Sequence, residues 1–126
     1  MANSYADLKE RVARRLGIVA DGEQVSTEDG DVIADGLSFV EAWLDTQGVY
    51  SLSVEDGVND PFALPVVMAA AAHLVDEFQI PEPRRTQLKG EGMLGLPARS
   101  LAERLIRSLA EAPTTKLQTA VDFTVI

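Results

Sequence analysis

The feature that most constrains the fold of this chain is a pair of capped helical segments within residues 4–47. Ser4 and Asp7 have the spacing at which each side chain can accept a hydrogen bond from the other's backbone N–H at a helix start. Gly17 stands where a helix would stop, because glycine readily adopts the left-handed conformation that ends helices. The apolar residues between these signals recur at helical spacing: Tyr5, Leu8, Val12 and Leu16. The pattern predicts a first helix over residues 4–16.

The same signals predict a second helix over residues 27–47. Ser26 and Asp29 repeat the cap, and an apolar stripe follows. This stripe consists of Val32, Ile33, Leu37, Val40 and Leu44. Gly30 and Gly36 each weaken a helix by about 1 kcal/mol relative to alanine. We therefore expect another backbone to pack closely against these two glycines.

A third helix is predicted to lie at the centre of the fold. Asp60 and Pro61 have the order of an N-cap followed by proline at the first helical position. From Leu64 to Ile80 the sequence is rich in alanine and apolar on more than one side. Such a helix is typically packed between neighbours, so we expect it to form the core.

Residues 82–111 are predicted to be helical around a glycine-rich interruption. Helical patterns cover about 82–89 and 98–111, and the sequence leaves open whether they form one bent helix or two. The residues that interrupt them are Gly90, Gly92, Gly95 and Pro97. Because this stretch lacks the Lys-Ser/Thr order and the preceding strand of a phosphate-binding loop, a flexible hinge or interface turn is expected.

The predicted fold class is all-α, a small bundle of four to five helices with an extended C-terminal tail. At 126 residues the chain has the length of one domain. We expect the helical domain to cover residues 1–112 and the tail residues 113–126. The tail is apolar and β-branched, so it either folds back on its bundle, is disordered, or extends onto a partner. The tail residues predicted to contact a partner are Leu117, Val121, Phe123, Val125 and Ile126.

Catalytic and metal-binding patterns are weak throughout the chain. There is no cysteine, which excludes a thiolate nucleophile, a disulfide and a cysteine metal site. His73 and Glu77 are four residues apart but make an incomplete metal site, so a hydrogen bond on the helix surface is expected instead. The EF-hand order and the G-x-S-x-G elbow are both missing. We therefore predict no catalytic residues, no metal, no cofactor and no enzymatic activity.

The charge of the chain is unevenly distributed. Its net charge is −9, and no lysine or arginine lies between Leu16 and Pro83, a span that holds 14 carboxylates. This span is either a solvated acidic surface, or one end of a molecule whose copies meet with opposite potentials. Wrapping of DNA is disfavoured by the few, scattered basic residues. The residues predicted to form a subunit interface are Arg99, Arg104, Arg107 and Trp43.

Membrane association is not expected either. The N-terminal sequence is polar and charged, unlike a signal peptide, and the longest apolar run is too short to cross a bilayer. We therefore expect a soluble protein.

The sequence from Arg14 to Val49 resembles small phage head-to-tail adaptor or connector proteins of the tail accessory factor type. The resemblance covers about residues 4–90 and rests on short motifs of that family: R-R-L-G, G-E-x-x-S, L-P and P-x-x-R. The matching segments are Arg14–Gly17, Gly22–Glu23, Ser26, Leu64–Pro65 and Pro81–Arg85.

The resemblance implies a structural virion protein at the neck of a phage, assembled in the host cytoplasm. Such subunits bind the portal protein as a homo-oligomeric ring, commonly of twelve copies, and present a platform for tail or nozzle proteins. They lengthen the channel through which packaged DNA passes without specific binding. Their C-terminal segment often reaches the portal or a neighbouring subunit. The alternative for this chain is a small acidic regulatory or DNA-mimic module that binds a basic protein.

Overall fold

The computed structural model describes residues 2–19 and 23–111, which form a small helical bundle. In chain order its elements are β1 (Ala2–Asn3), α1 (Tyr5–Leu16), α2 (Thr27–Thr46), β2 (Val58–Asn59), α3 (Asp60–Leu74), α4 (Arg84–Gly92) and a fifth helix, α5, over 101–111. The two short strands pair antiparallel. The predicted all-α class with four to five helices is confirmed for these residues, whereas the predicted tail at 113–126 lies outside them.

The caps predicted for α1 are present. Ser4 Oγ accepts a hydrogen bond from the Asp7 backbone N–H, and Asp7 Oδ2 accepts one from the Ser4 N–H, both at 3.2 Å. Gly17 has a φ of +79°, and its N–H donates to the carbonyl oxygens of Ala13 and Arg14. These bonds satisfy backbone groups that a helix end otherwise leaves unpaired. The buried face of α1 consists of Leu8, Val12, Ala13 and Leu16.

Helix α2 also begins as predicted, but the atoms nearest to its two glycines belong to side chains and not to the expected backbone. Ser26 Oγ accepts a hydrogen bond from the Asp29 N–H at 3.2 Å. A Cβ on Gly36 would lie 2.7 Å from Leu74 Cδ1, so this glycine allows α3 to approach closely, through a side chain rather than a backbone. A Cβ on Gly30 would meet only Val25 Cγ1, at 3.9 Å. The expectation of a close backbone contact at Gly30 was therefore wrong.

Helix α3 lies at the centre, where it contacts α1, α2 and α4. Its residues from Val66 to Ala72 are all buried, as the apolar sequence predicts. The predicted N-cap was one residue too late, because Asn59 takes that position and Asp60 is already helical.

The end of α3 also differs from the prediction. The helix stops at Leu74 and not at Ile80, and turns follow it. Gln79 has a φ of +51°, and the Ile80 N–H donates to the Val75 carbonyl oxygen at 2.9 Å. The proline at 81 disfavours helical backbone in the residue before it, so the apolar Ile80 remains buried without continuing the helix.

The segment 82–111 forms two helices separated by residues 93–100. Helix α4 continues to Gly92, so two of the interrupting glycines are helical and the break comes later than predicted. A Cβ on Gly92 would lie 2.7 Å from the Met68 carbonyl carbon and 2.9 Å from Ala72 Cβ. The missing side chain at Gly92 is what lets α4 pack directly on the backbone of α3.

Candidate functional site

Three separate parts of the chain meet around one shallow depression of about 390 Å³. We call this site the basic depression. Its lining comes from α1, α3 and α4 and consists of Arg11, Arg14, Arg15, Leu64, Val67 and Arg84. Four of the six lining residues are arginines, although the whole chain has only 11 lysines and arginines against 20 carboxylates. The fold therefore collects positive charge in a molecule that is acidic overall.

Contacts between residues distant in sequence hold the walls of the depression together. Arg84 Nε donates a hydrogen bond to the Arg15 carbonyl oxygen at 3.1 Å, next to the point where Gly17 ends α1. Arg84 Nη2 donates to the same oxygen. A guanidinium that donates twice to the exposed end of a helix also places its positive charge at the negative pole of that helix. Arg84 thus fixes the start of α4 against the end of α1.

The arginines of the depression differ in whether their side chains are bonded to other parts of the protein. Arg11 Nη1 donates to Asn3 Oδ1 at 3.0 Å, and Arg15 forms an ion pair with Glu91. Arg14 is exposed, and neither a hydrogen bond nor an ion pair joins its side chain to another described residue. Its guanidinium is the part of the site that is available to an external group.

An apolar residue stands beside these charges. The side chain of Leu64 is 44% exposed, whereas Val67, one turn further along α3, is buried. A leucine this exposed next to several guanidinium groups resembles the composition of protein-binding surfaces, where apolar contacts are bordered by charge.

A second charged surface runs along α2. Exposed carboxylates follow one side of the helix, and we call them the acidic stripe: Glu28, Asp31, Asp35 and Asp45. Ser38 and Ala42, also exposed, occupy the intervening turns, so the side chains follow each other at helical spacing. Within the described residues none of the four carboxylates is in an ion pair. No residue of this stripe belongs to the basic depression.

The predicted interface arginines lie on α5 or just before it, and two of them have partners within the chain. Arg107 Nε donates to Glu103 Oε2 at 2.9 Å, and Arg99 Nε lies 3.5 Å from the same oxygen. The Glu103 side chain is only 3% exposed. Arg104 is exposed. The structure therefore brings Arg99 and Arg107 together around a buried carboxylate and leaves Arg104 apart.

The remaining predicted contact residues fall into two groups. Trp43 is half-buried, and a Cβ on Gly95 would lie 3.5 Å from its Nε1, so the indole packs beside the segment between α4 and α5. The predicted partner-binding residues Leu117, Val121, Phe123, Val125 and Ile126 lie outside the described residues.

The glycine-rich segment is held by two side chains. The Leu94 N–H donates to His73 Nε2, and the Gly95 N–H donates to Glu103 Oε1, both at 3.1 Å. The expectation that His73 would bond Glu77 on the helix surface was wrong, because the imidazole turns toward the segment that follows α4. The ring also packs on Phe39, with 4.7 Å between the ring centroids.

The bond from Leu94 requires His73 to be neutral at Nε2, and burial lowers the pKa of His73 below its ordinary value. The unfolded chain then takes up a proton first, so the free energy of unfolding should fall as the pH drops below about 6.5 and level off once the folded state is protonated. We expect His73→Gln to lack this part of the pH dependence. Denaturant unfolding followed by circular dichroism at about pH 7.5 and pH 5.5 measures it. Identical pH dependence in both proteins would contradict the assignment.

Within the described ranges, no group of three or more histidine or acidic residues is placed to hold a metal ion. No helix in that part of the chain is long and apolar enough to cross a membrane. Comparison of the chain with protein-family models, with curated proteins and with solved structures finds no match.

The basic depression was missed by the sequence interpretation, although two signals for it are present. All four basic residues of the first 80 lie between Lys9 and Arg15, on one helix. Arg84 belongs to the P-x-x-R segment, and Leu64 to the L-P pair. What the sequence does not show is that Arg84 contacts Arg15, which lies 69 residues before it.

Proposed function

We propose that this protein is a phage head-to-tail adaptor that docks as a ring on the portal, extends the DNA channel and joins the tail to the capsid. The observation that carries the proposal is the basic depression. Three of the short segments on which the family resemblance rests contribute to it, through Arg14 and Arg15, Leu64, and Arg84. Short motifs far apart in sequence are stronger support for a shared function when their side chains lie together at one exposed site.

The charge distribution is compatible with a channel protein. DNA slides more easily along a surface that makes few phosphate contacts, since each neutralised phosphate adds to the affinity. The span from residue 17 to residue 83 contains no lysine or arginine. In a ring that places this span toward the channel, packaged DNA would meet carboxylates and pass without being held.

A second candidate function is a small acidic regulatory or DNA-mimic module, and the acidic stripe on α2 favours it. Exposed carboxylates at successive turns form an extended negative surface that a basic protein could bind. The basic depression argues against it, because a nucleic-acid mimic presents negative charge to a basic partner, whereas four clustered arginines present positive charge.

The portal is the partner that tests the adaptor function. We expect the isolated chain to elute as a monomer or a weak oligomer and to co-elute with a portal ring in size-exclusion chromatography. Removal of residues 114–126 should reduce portal binding at least about tenfold, since it removes the apolar tail. The matched variants are Phe123→Asp, which should also weaken binding, and Lys116→Ala, which should not.

The two functions give opposite results in this experiment. A DNA-mimic module that acts through residues 17–80 should keep its binding to a basic partner after the tail is removed. Absence of co-elution with every portal tested, by the full-length chain, would argue decisively against an adaptor.

A further inference from the structure

We propose that the basic depression of one copy of this chain binds the acidic stripe on α2 of a second copy, in a head-to-tail contact. The closing of such contacts into a ring rests on the proposed function. The contact itself does not, and it differs from the subunit interface predicted at Arg99, Arg104, Arg107 and Trp43.

The depression requires an occupant that carries negative charge and some apolar surface. Arg14 is exposed and unpaired among the described residues, while Leu64 stands beside it at 44% exposure. Arg11 is bonded to the neutral amide of Asn3 and adds positive potential from the same wall, whereas Glu91 offsets the charge of Arg15. A carboxylate that approaches Arg14 therefore enters a field set by three guanidinium groups that have no carboxylate partner among the described residues, those of Arg11, Arg14 and Arg84.

The acidic stripe has the complementary composition. Helix α2 contains 20 residues, so it is about 30 Å long and can present several carboxylates to one partner. Ser38 and Ala42 are small and permit close approach between the acidic turns. Phe39 is 45% exposed at the edge of the stripe and offers apolar surface of the kind that Leu64 also presents.

A second copy is the occupant because one chain carries both surfaces on different helices. The lining of the depression comes from α1, α3 and α4, and the stripe belongs to α2. The two surfaces share no residue and no helix, so the proposed contact has one copy use each of them toward a different neighbour. Such a heterologous contact produces a closed ring when the rotation between subunits permits, and an open chain otherwise. The net charge of −9 opposes assembly at a distance, so the contact of isolated copies is expected to be weak.

The test uses charge variants of the full-length chain, without portal, in sedimentation equilibrium at millimolar concentration and low ionic strength. The wild type should self-associate. Arg14→Glu, or the pair Asp31→Asn with Asp35→Asn, should weaken association at least about tenfold. The matched controls make the same charge changes elsewhere: Arg104→Glu for the first, and Glu55→Gln with Asp56→Asn for the second. They should associate like the wild type.

A mixture of the two defective variants provides a sharper readout. The Arg14→Glu chain keeps an intact stripe, and the Asp31→Asn, Asp35→Asn chain keeps an intact depression. A head-to-tail contact then permits one pairing only, so the mixture should form one-to-one dimers and stop there. Larger oligomers, or no dimers, would contradict a contact between these two surfaces.

Because the chain contains no cysteine, cross-linking can locate the contact directly. Leu64→Cys in one copy and Ser38→Cys in another should form a mixed disulfide, while Leu64→Cys with Ser108→Cys should not. Circular dichroism establishes that each variant folds.

Several outcomes would overturn the proposal. A wild type that stays monomeric at millimolar concentration excludes the contact. Loss of association in Arg104→Glu but not in Arg14→Glu places the interface on α5 instead. Binding of a duplex DNA oligonucleotide that Arg14→Glu abolishes, in a chain that does not self-associate, assigns the depression to phosphate. Each result is independent of portal binding, so failure of the adaptor function remains distinguishable.

Discussion

Replacement of Gly92 by alanine is expected to destabilise the protein by about 3 kcal/mol. A Cβ at this position would lie 2.7 Å from the Met68 carbonyl carbon and 2.9 Å from Ala72 Cβ. The Met68 contact is with backbone, which cannot rotate out of the way as a flexible side chain can. Helix α4 would have to move away from α3 and lose part of the packing of Leu88, which is buried there. Denaturant unfolding followed by circular dichroism measures the change.

Gly90→Ala is the matched control for this prediction. Gly90 lies in the same helix, and a Cβ there would meet nothing within 4 Å. Alanine favours helix over glycine, so this variant should be unchanged or more stable by up to about 1 kcal/mol. Equal effects of the two substitutions would mean that α4 does not pack on α3 as described.

Replacement of Glu103 by alanine is the second large effect, and we expect a loss of about 3 kcal/mol. The buried carboxylate accepts hydrogen bonds from the Gly95 backbone N–H and from Arg107, and it lies near Arg99. The variant leaves that N–H without its acceptor and Arg107 without its counter-ion. Arg107 is partly exposed, which permits some solvation and keeps the loss moderate.

The measurement combines unfolding free energies with hydrogen exchange. The Gly95 amide should exchange faster in Glu103→Ala, because its acceptor is gone. Glu103→Gln keeps an acceptor oxygen and should lose roughly half as much stability. Glu111→Ala, an exposed position on the same helix, should change stability by less than about 0.5 kcal/mol. Unchanged exchange at Gly95 in the alanine variant would show that Glu103 does not hold the segment.

Much of the fold could be predicted because its signals are local. The caps at Ser4 and Ser26 and the stop at Gly17 depend on residues a few positions apart, and all three were observed, with the reciprocal pair of bonds described at Ser4 and a single bond at Ser26. The end of α3 was missed because apolar residues continue to Ile80. An apolar sequence looks the same whether the backbone of its buried residues is helical or turned. The proline at 81 indicated a stop only at Ile80, later than the observed end at Leu74.

The candidate site could be predicted only in part, because long-range contacts define it. The cluster of basic residues in α1 is visible in sequence, but the approach of Arg84 to Arg15 is not. The arginines before and within α5 were predicted to form a subunit interface, and two of them are instead bound within the chain. The spacing of four residues between Glu103 and each of Arg99 and Arg107 is a local signal for pairing, but the burial of Glu103 depends on contacts with distant parts of the chain. For the same reason His73 was assigned a neighbour in its own helix.

The central position of α3 has a consequence for how this chain can vary. Eleven of the 15 residues of α3 are buried against neighbouring parts of the fold, so substitutions at those positions must preserve volume to keep the fold. The arginines of the basic depression and the carboxylates of the acidic stripe lie on α1, α4 and α2, outside the central helix, and none of them belongs to the buried core. The chain thus separates the residues that keep it folded from those that can select a partner. Partner choice can diverge by changes of surface charge while the bundle beneath stays the same.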